Sequence, residues 1–138
     1  GQRLGLTADG TFGEQSLGLI GNATAACADT AALSQQVTQA LGRAPVLVEA
    51  APGRVLRRIA WCSGGAQGYF EAAIAAGADA FITGESSEPQ AHLARETGVA
   101  FLACGHHATE RYGVRALGAY LESRYGLVHQ FIDIPNPV

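Results

Sequence analysis

The feature that most constrains the fold is a regular alternation of short apolar strands and amphipathic helices between residues 55 and 134. Short apolar strands separated by helices are typical of a parallel sheet that is buried on both faces. The sequence therefore predicts the α/β class, with a layered, parallel-rich sheet and helices on both faces. The predicted strands are 55–62, 80–83, 99–104 and 127–134, and the predicted helices are 69–76, 87–97 and 109–125.

The first third of the chain is less regular. Two short strands are predicted around an Ala-Asp-Gly turn at 8–10, and Asp29 is predicted to cap a helix that ends at Gly42. A further strand is predicted over 45–49. We therefore divide the chain into a first-lobe connecting segment, 1–54, and a C-terminal α/β domain, 55–138.

Composition excludes several protein classes. Of the 138 residues, 48% are hydrophobic and 15% are charged, which is not the composition of a disordered chain. The net charge of −3 argues against a protein whose main work is to hold a nucleic-acid backbone. No apolar run reaches the roughly 18 residues of a membrane helix. Three cysteines without a CxxC pair favour a reducing cytoplasm.

Three loops carry most of the polar chemistry of the sequence. Right-handed crossovers place the carboxyl ends of parallel strands at one edge of the sheet, so loops 63–68, 84–88 and 105–108 are predicted to meet there. His106 and Glu110 are four residues apart at a helix start, and a nitrogen and an oxygen donor together suit Zn, Mn or Fe. The alternative is that Glu110 is a first-turn acid favoured by the helix dipole.

The other candidates have open interpretations. The glycine-rich loop 63–68 either binds an anion through its backbone N–H groups or allows close helix packing. Glu85, at the end of a strand, is either a ligand, a partner of a ligand, a base or a solvated charge. His107 is predicted to be an outer partner or exposed, and His92 and His129 to be ordinary histidines on a helix and a strand.

Four segments together carry a family resemblance: 59–65 (IAWCSGG), 78–85 (ADAFITGE), 105–111 (GHHATER) and 131–137 (FIDIPNP). They resemble the Nif-three-like family, also called the GTP cyclohydrolase I type two family. The resemblance implies a cytoplasmic α/β protein that binds two divalent metal ions per full-length subunit, such as Zn, Mn or Fe. It also implies a homo-oligomer, commonly a ring-like hexamer. The first histidine and the glutamate of the family's GHHATE motif are metal ligands, and these fall on His106 and Glu110.

The chain departs from the family pattern in its first half. The family takes further ligands from an upstream His-His motif and an Asp, whereas the first histidine here is His92. The chain also begins with glycine rather than methionine. We therefore expect either a C-terminal portion of a longer protein or a truncated member of the family, without the family's N-terminal half. Because its ligand set is incomplete, we expect it to bind metal weakly or not at all by itself.

The resemblance favours a dinuclear metal-dependent hydrolase acting on a nucleotide. In that hypothesis Glu85 is the candidate for moving a proton, and loop 63–68 for holding a phosphate. The alternative is a non-catalytic metal-binding oligomer that serves as a metal carrier, a sensor or a partner-binding scaffold. A third hypothesis, DNA binding through Arg54, Arg57, Arg58, Arg111 and Arg115, is opposed by the net negative charge.

Overall fold

The computed structural model describes residues 1–138 and contains one six-stranded sheet. The strands are β1 (Ala8–Phe12), β2 (Gly18–Asn22), β3 (Val46–Val48), β4 (Arg58–Trp61), β5 (Ala80–Thr83) and β6 (Ala100–Ala103). The α-helices are α1 (Thr30–Leu41), α2 (Phe70–Ala75), α3 (Glu88–Thr97) and α4 (His106–Tyr125). No helix combines the length and the hydropathy needed to cross a membrane.

The sheet has a parallel centre and antiparallel flanks. Its strand order is β1-β2-β4-β5-β6-β3, and the β4–β5 and β5–β6 pairs are parallel. The other three pairs are antiparallel. The α/β class is confirmed, but the sheet is mixed. The reason lies in the connections: α2 and α3 provide the long crossovers that parallel pairing needs, whereas a short turn between β1 and β2 can only reverse the chain.

Each face of the sheet has its own apolar core, because side chains alternate along each strand. Ile59, Ile82 and Leu102 pack in a cluster with the buried face of α1. Ala60, Phe81 and Phe101 face the other way and pack in a cluster with α2 and α3. The central strands are therefore apolar on both sides, as predicted for strands covered by helices on both faces. This sheet draws strands from both of the segments divided at residues 54 and 55.

The local end signals of the helices are confirmed. The Asp29 carboxylate accepts a hydrogen bond from the Ala32 N–H at 2.8 Å, and Gly42 ends α1 in the left-handed conformation. Gly126 ends α4 in the same way. The first turn of α4 differs from the prediction: the helix begins at His106 rather than at residue 109. This earlier start places His106 and Glu110 on the same helix.

The predicted strand over 127–134 is wrong. Residues 127–138 form no regular structure, and Val128, Ile132 and Ile134 are exposed. The outer edge of β6, where a fourth strand in the parallel series would pair, is already occupied by β3 in antiparallel pairing. The C-terminal tail (residues 127–138) is held instead by polar contacts to the start of α4.

The predicted turn at 8–10 is also wrong. These residues lie inside β1, with an irregular register between Ala8 and Gly10, and the chain reverses after β1, between Phe12 and Gly18. The physical reason is a tertiary contact. The Asp9 carboxylate accepts two hydrogen bonds of 2.6 Å from the Arg58 guanidinium, which lies on β4, and this pairing outweighs the local turn preference of Ala-Asp-Gly.

Candidate functional site

The loops after β4, β5 and β6 meet at the carboxyl edge of the parallel strands. Backbone hydrogen bonds connect them in series, because the Gly84 N–H donates to the Gly64 carbonyl at 2.9 Å and the Gly105 N–H donates to the Gly84 carbonyl at 2.8 Å. The predicted meeting of these three loops is confirmed. A cleft of about 520 Å³ opens beside them.

The structure brings His106 and Glu110 together at this edge. The Nε2 atom of His106 lies 3.0 Å from Oε2 of Glu110, across the first turn of α4. Both side chains are accessible: 41% of the His106 side chain and 52% of the Glu110 side chain are exposed. A nitrogen and an oxygen donor are thus side by side at the mouth of the cleft.

Glu85 joins this pair from the loop after β5. Its Oε1 lies 2.5 Å from Nδ1 of His106, so the imidazole is placed between two carboxylates, one at each ring nitrogen. The hydrogen bond to Glu85 raises the pKa of His106 above its ordinary value. The same hydrogen bond lowers the pKa of Glu85. Sequence spacing could not predict this contact, because it depends on the register between β5 and β6.

The arrangement supplies two candidate metal ligands rather than three. No group of three His, Cys, Asp or Glu side chains is arranged to hold a metal ion. The ring geometry gives the reason: Glu85 contacts Nδ1, while Glu110 contacts Nε2 on the other side of the imidazole. Glu85 therefore takes the position of an outer partner of the histidine.

Gly64 makes room for the pair. A Cβ atom at Gly64 would lie 2.1 Å from Oε1 of Glu110 and 3.1 Å from Nε2 of His106, and its φ of +70° is a left-handed conformation. The Gly64 N–H donates to Oγ1 of Thr109 at 2.9 Å, a contact that the sequence analysis missed. This N–H is therefore not available to an anion, and the closeness of Gly64 to Glu110 and His106 requires a residue without a side chain.

His107 points away from His106 and toward the C-terminal tail. Its Nε2 lies 3.1 Å from Oδ1 of Asp133, and Arg111 Nη1 donates to the other oxygen of Asp133 at 3.0 Å. The hydrogen bond to His107 lowers the pKa of Asp133. The tail thereby forms one wall of the cleft, with Phe131 and Val138 in its lining. Asp133 is not among the predicted site residues, because the apolar residues around it predict a strand.

The remaining candidates lie elsewhere. His92 is exposed on α3, and His129 lies in the tail, against Gly118, rather than in the predicted strand. Trp61 is buried in the core as predicted. The three cysteines are free, and burial raises the pKa of Cys104 to about 12.

Acidic side chains engage three of the five arginines of the proposed DNA-binding face. Arg54 pairs with Asp79 at 3.2 Å, Arg58 with Asp9 at 2.6 Å, and Arg111 with Asp133 at 3.0 Å. These pairs satisfy guanidinium donors within the protein.

Comparisons with known proteins agree on one family. Residues 1–137 match the family model described as Duf34/NIF3 (NGG1p interacting factor 3). A "GTP cyclohydrolase 1 type 2 homolog" from Pseudomonas aeruginosa is 62% identical over 104 residues, which are 75% of this chain and 40% of that protein. A protein of the same name from Neisseria meningitidis is 49% identical over 135 residues, covering 98% of this chain and 53% of that one.

A solved structure, titled "Structural genomics, protein ybgI, unknown function", superposes with a TM-score of 0.91 at 43% identity. The match covers 99% of this chain and 54% of that one. This chain thus spans about half the length of the relatives that it matches.

Proposed function

Because the chain belongs to the Duf34/NIF3 family, we propose that it contributes His106 Nε2 and Glu110 as ligands of a divalent metal ion. The observation that carries the proposal is the 3.0 Å approach of these two donors at the carboxyl edge of the sheet. Gly64 supports it, since a side chain at that position would fill the space beside both donors.

The donor set fits Zn, Mn or Fe, which accept imidazole nitrogen and carboxylate oxygen. Two protein ligands are fewer than the three that a catalytic zinc site usually has. In the proposed site the remaining ligands come from the part of the longer relatives that this chain does not span. The family resemblance implies two metal ions per full-length subunit and assembly into a homo-oligomer, and we propose both for the intact protein.

We propose further that the intact protein is a metal-dependent hydrolase acting on a nucleotide. A divalent ion held by His106 and Glu110 would supply activation of water and polarisation of a substrate oxygen. The residues of this chain hold and orient the site: His106 and Glu110 present their donors, and Glu85 holds the imidazole through Nδ1. The adjoining cleft of about 520 Å³ gives a small molecule access to them.

Metal binding is tested with matched variants of this chain. Zn²⁺ is titrated into the wild type, His106→Ala and Glu110→Gln, with His92→Ala as a control that removes an exposed imidazole outside the lining of the cleft. We expect weak binding by the wild type, loss of that binding in the two site variants, and no change in the control. Equal binding by the wild type and His106→Ala contradicts the metal site.

Turnover is tested on the full-length protein loaded with Mn²⁺, Fe²⁺ or Zn²⁺, with GTP as the substrate. Ring opening that is lost in His106→Ala supports the hydrolase. Metal binding without turnover of any nucleotide favours the alternative of a metal carrier, a sensor or a partner-binding scaffold. The exposure of both proposed ligands, which permits metal exchange, is the observation that favours this alternative.

A further inference from the structure

Both carboxylate oxygens of Glu85 are engaged. Oε1 lies 2.5 Å from Nδ1 of His106, and Oε2 accepts a hydrogen bond of 3.4 Å from Nε2 of Gln67. Gln67 is in the glycine-rich loop after β4, so the carboxylate of one loop is held by the amide of another. These two contacts orient the Glu85 carboxylate toward the imidazole. They therefore point to a role for Glu85 that acts through His106.

Gln67 is held in turn by the start of α3. Its backbone carbonyl accepts a hydrogen bond of 3.2 Å from Nε2 of Gln90, a buried side chain. The Oε1 atom of Gln90 accepts from the Ser87 N–H at 3.0 Å and so takes part in the capping box of α3. A continuous series of hydrogen bonds thus runs from a helix cap to Glu85 and on to His106.

The chemistry of imidazole gives this series a consequence. A neutral histidine carries one proton on its ring, and only the other nitrogen has a lone pair for a metal ion. A carboxylate contacts each ring nitrogen, but the contact of Glu85 with Nδ1 is the shorter one, at 2.5 Å against 3.0 Å between Glu110 and Nε2. The shorter contact favours the tautomer with the proton on Nδ1. The lone pair is then left on Nε2, the atom that faces Glu110.

We propose that Glu85, oriented by Gln67, is a positioning residue that fixes His106 in the Nδ1–H tautomer and so prepares Nε2 as the donor atom. The inference rests on the proposed function in one respect, because it takes Nε2 of His106 as the atom that binds the metal ion. It gives the glycine-rich loop a task beyond close packing, because Gln67 holds the outer oxygen of Glu85.

The first test reads the tautomer directly in the metal-free 138-residue chain. Long-range ¹H–¹⁵N NMR spectra of the histidine rings are recorded at a pH where His106 is neutral, and His106→Ala assigns the signals. We expect the Nδ1–H form in the wild type and in Glu85→Asp, which keeps the carboxylate. Glu85→Gln, which can donate to Nδ1, should populate the Nε2–H form. Gln67→Met, which removes the donor to Glu85, should give an intermediate mixture.

Glu88→Gln is the matched control. It removes the same charge from an exposed position at the start of α3, three residues along the chain. We expect it to leave the His106 tautomer unchanged. Thermal unfolding checks that each variant is folded, and Glu85→Asp and Gln67→Met keep the inference testable if Glu85→Gln does not fold. The inference is overturned if folded Glu85→Gln keeps the Nδ1–H form of His106 that is expected in the wild type. If Glu85→Gln does not fold, the same result in folded Gln67→Met overturns it.

The second test is Zn²⁺ titration of the same variants, followed through the ring signals of His106. Loss of an outer partner of a metal-binding histidine typically costs about 10- to 100-fold in affinity, and we expect a loss of that size in Glu85→Gln. Glu85→Asp should recover part of it, and Glu88→Gln should match the wild type.

The two tests separate the inference from the proposed function. If the wild type and His106→Ala bind Zn²⁺ equally, the proposed function fails, and the tautomer of Glu85→Gln still decides the role of Glu85. If His106→Ala loses Zn²⁺ while Glu85→Gln keeps both tautomer and affinity, the inference is overturned and the proposed function stands. A loss of affinity in Glu85→Gln without a change of tautomer also overturns the inference.

Discussion

The two ends of the parallel strands use carboxylates in different ways. At the amino end, Asp79 precedes β5 and accepts hydrogen bonds from the backbone N–H groups of Arg57 and Arg58, at 2.8 and 2.9 Å. Its other oxygen accepts from the Arg54 guanidinium at 3.2 Å. Two of these three donors are main-chain groups at the start of β4. The Asp79 side chain is 18% exposed and does not line the cleft beside His106.

At the carboxyl end, carboxylates meet a titratable side chain instead. Glu85 and Glu110 contact the two nitrogens of His106, and all three line an open cleft. A carboxylate that accepts hydrogen bonds from main-chain N–H groups stabilises the sheet. A carboxylate beside an accessible imidazole can still bind a ligand together with that imidazole. The partners and the exposure of a carboxylate, rather than its position at a strand end, therefore separate a structural role from a candidate functional one.

The largest expected difference is in stability. Asp79→Ala leaves two main-chain N–H groups without their acceptor, so we expect a loss of about 3 kcal/mol in the free energy of unfolding. Glu110→Ala removes an exposed side chain and should stay within about 0.5 kcal/mol of the wild type. Urea unfolding followed by circular dichroism measures both. If the two variants lose the same free energy of unfolding, the carboxylates at the two ends of the parallel strands do not differ in their structural role.

The next prediction concerns Gly64 at the carboxyl end. Gly64→Ala places a methyl group against Glu110 and also strains a left-handed backbone, which costs about 1 kcal/mol by itself. Gly53 is the matched control, since its φ is +75° and nothing lies within 4 Å of a Cβ built there. We expect Gly64→Ala to lose more stability than Gly53→Ala.

The same two variants also test whether Gly64 is needed for metal binding. Because the added methyl group displaces Glu110, Zn²⁺ binding should weaken in Gly64→Ala and remain unchanged in Gly53→Ala. Titration of both variants under identical conditions measures this. Equal Zn²⁺ affinities would show that Gly64 does not provide space for the site.

A smaller effect is expected from the C-terminal tail. Asp133→Ala removes the contacts to His107 and Arg111 that hold the tail beside the cleft. These are partly exposed ion pairs, so the loss of stability should be below about 1 kcal/mol. Hydrogen exchange and proteolysis of residues 127–138 should nevertheless accelerate, while Glu122→Ala, an exposed carboxylate on α4, should change neither. Unchanged exchange in Asp133→Ala would mean that other contacts hold the tail.

Sequence predicted the parts of the fold that depend on local signals. The cap at Asp29 and the stops at Gly42 and Gly126 are set by neighbouring residues, and the structure confirms them. The tail and the first strand depend on distant partners. The β6 edge is taken by β3, and Asp9 is held by Arg58, 49 residues along the chain. No local pattern carries that information.

The same distinction between local signals and distant contacts applies to the candidate site. The helical spacing of His106 and Glu110 predicts their proximity, and the structure places them 3.0 Å apart. The contacts of Glu85 with His106 and Gln67 arise only when three loops meet at the sheet edge. Spacing along one helix therefore finds the donor pair, and the hydrogen bonds that orient it require the tertiary structure.

The smallest effect belongs to Asp9, an exposed carboxylate beside the amino end. The hydrogen bond from Arg58 lowers the pKa of Asp9 below its ordinary value of 3.8. Because the folded-state pKa is lower than the unfolded one, the pair stabilises the fold above about pH 4, and this contribution is lost as the pH falls through the folded-state pKa. The urea midpoints of the wild type and Asp9→Asn should therefore differ at pH 6, and the difference should shrink as the pH falls below 3.8. A difference that is constant with pH would show that the charge of Asp9 contributes nothing to stability.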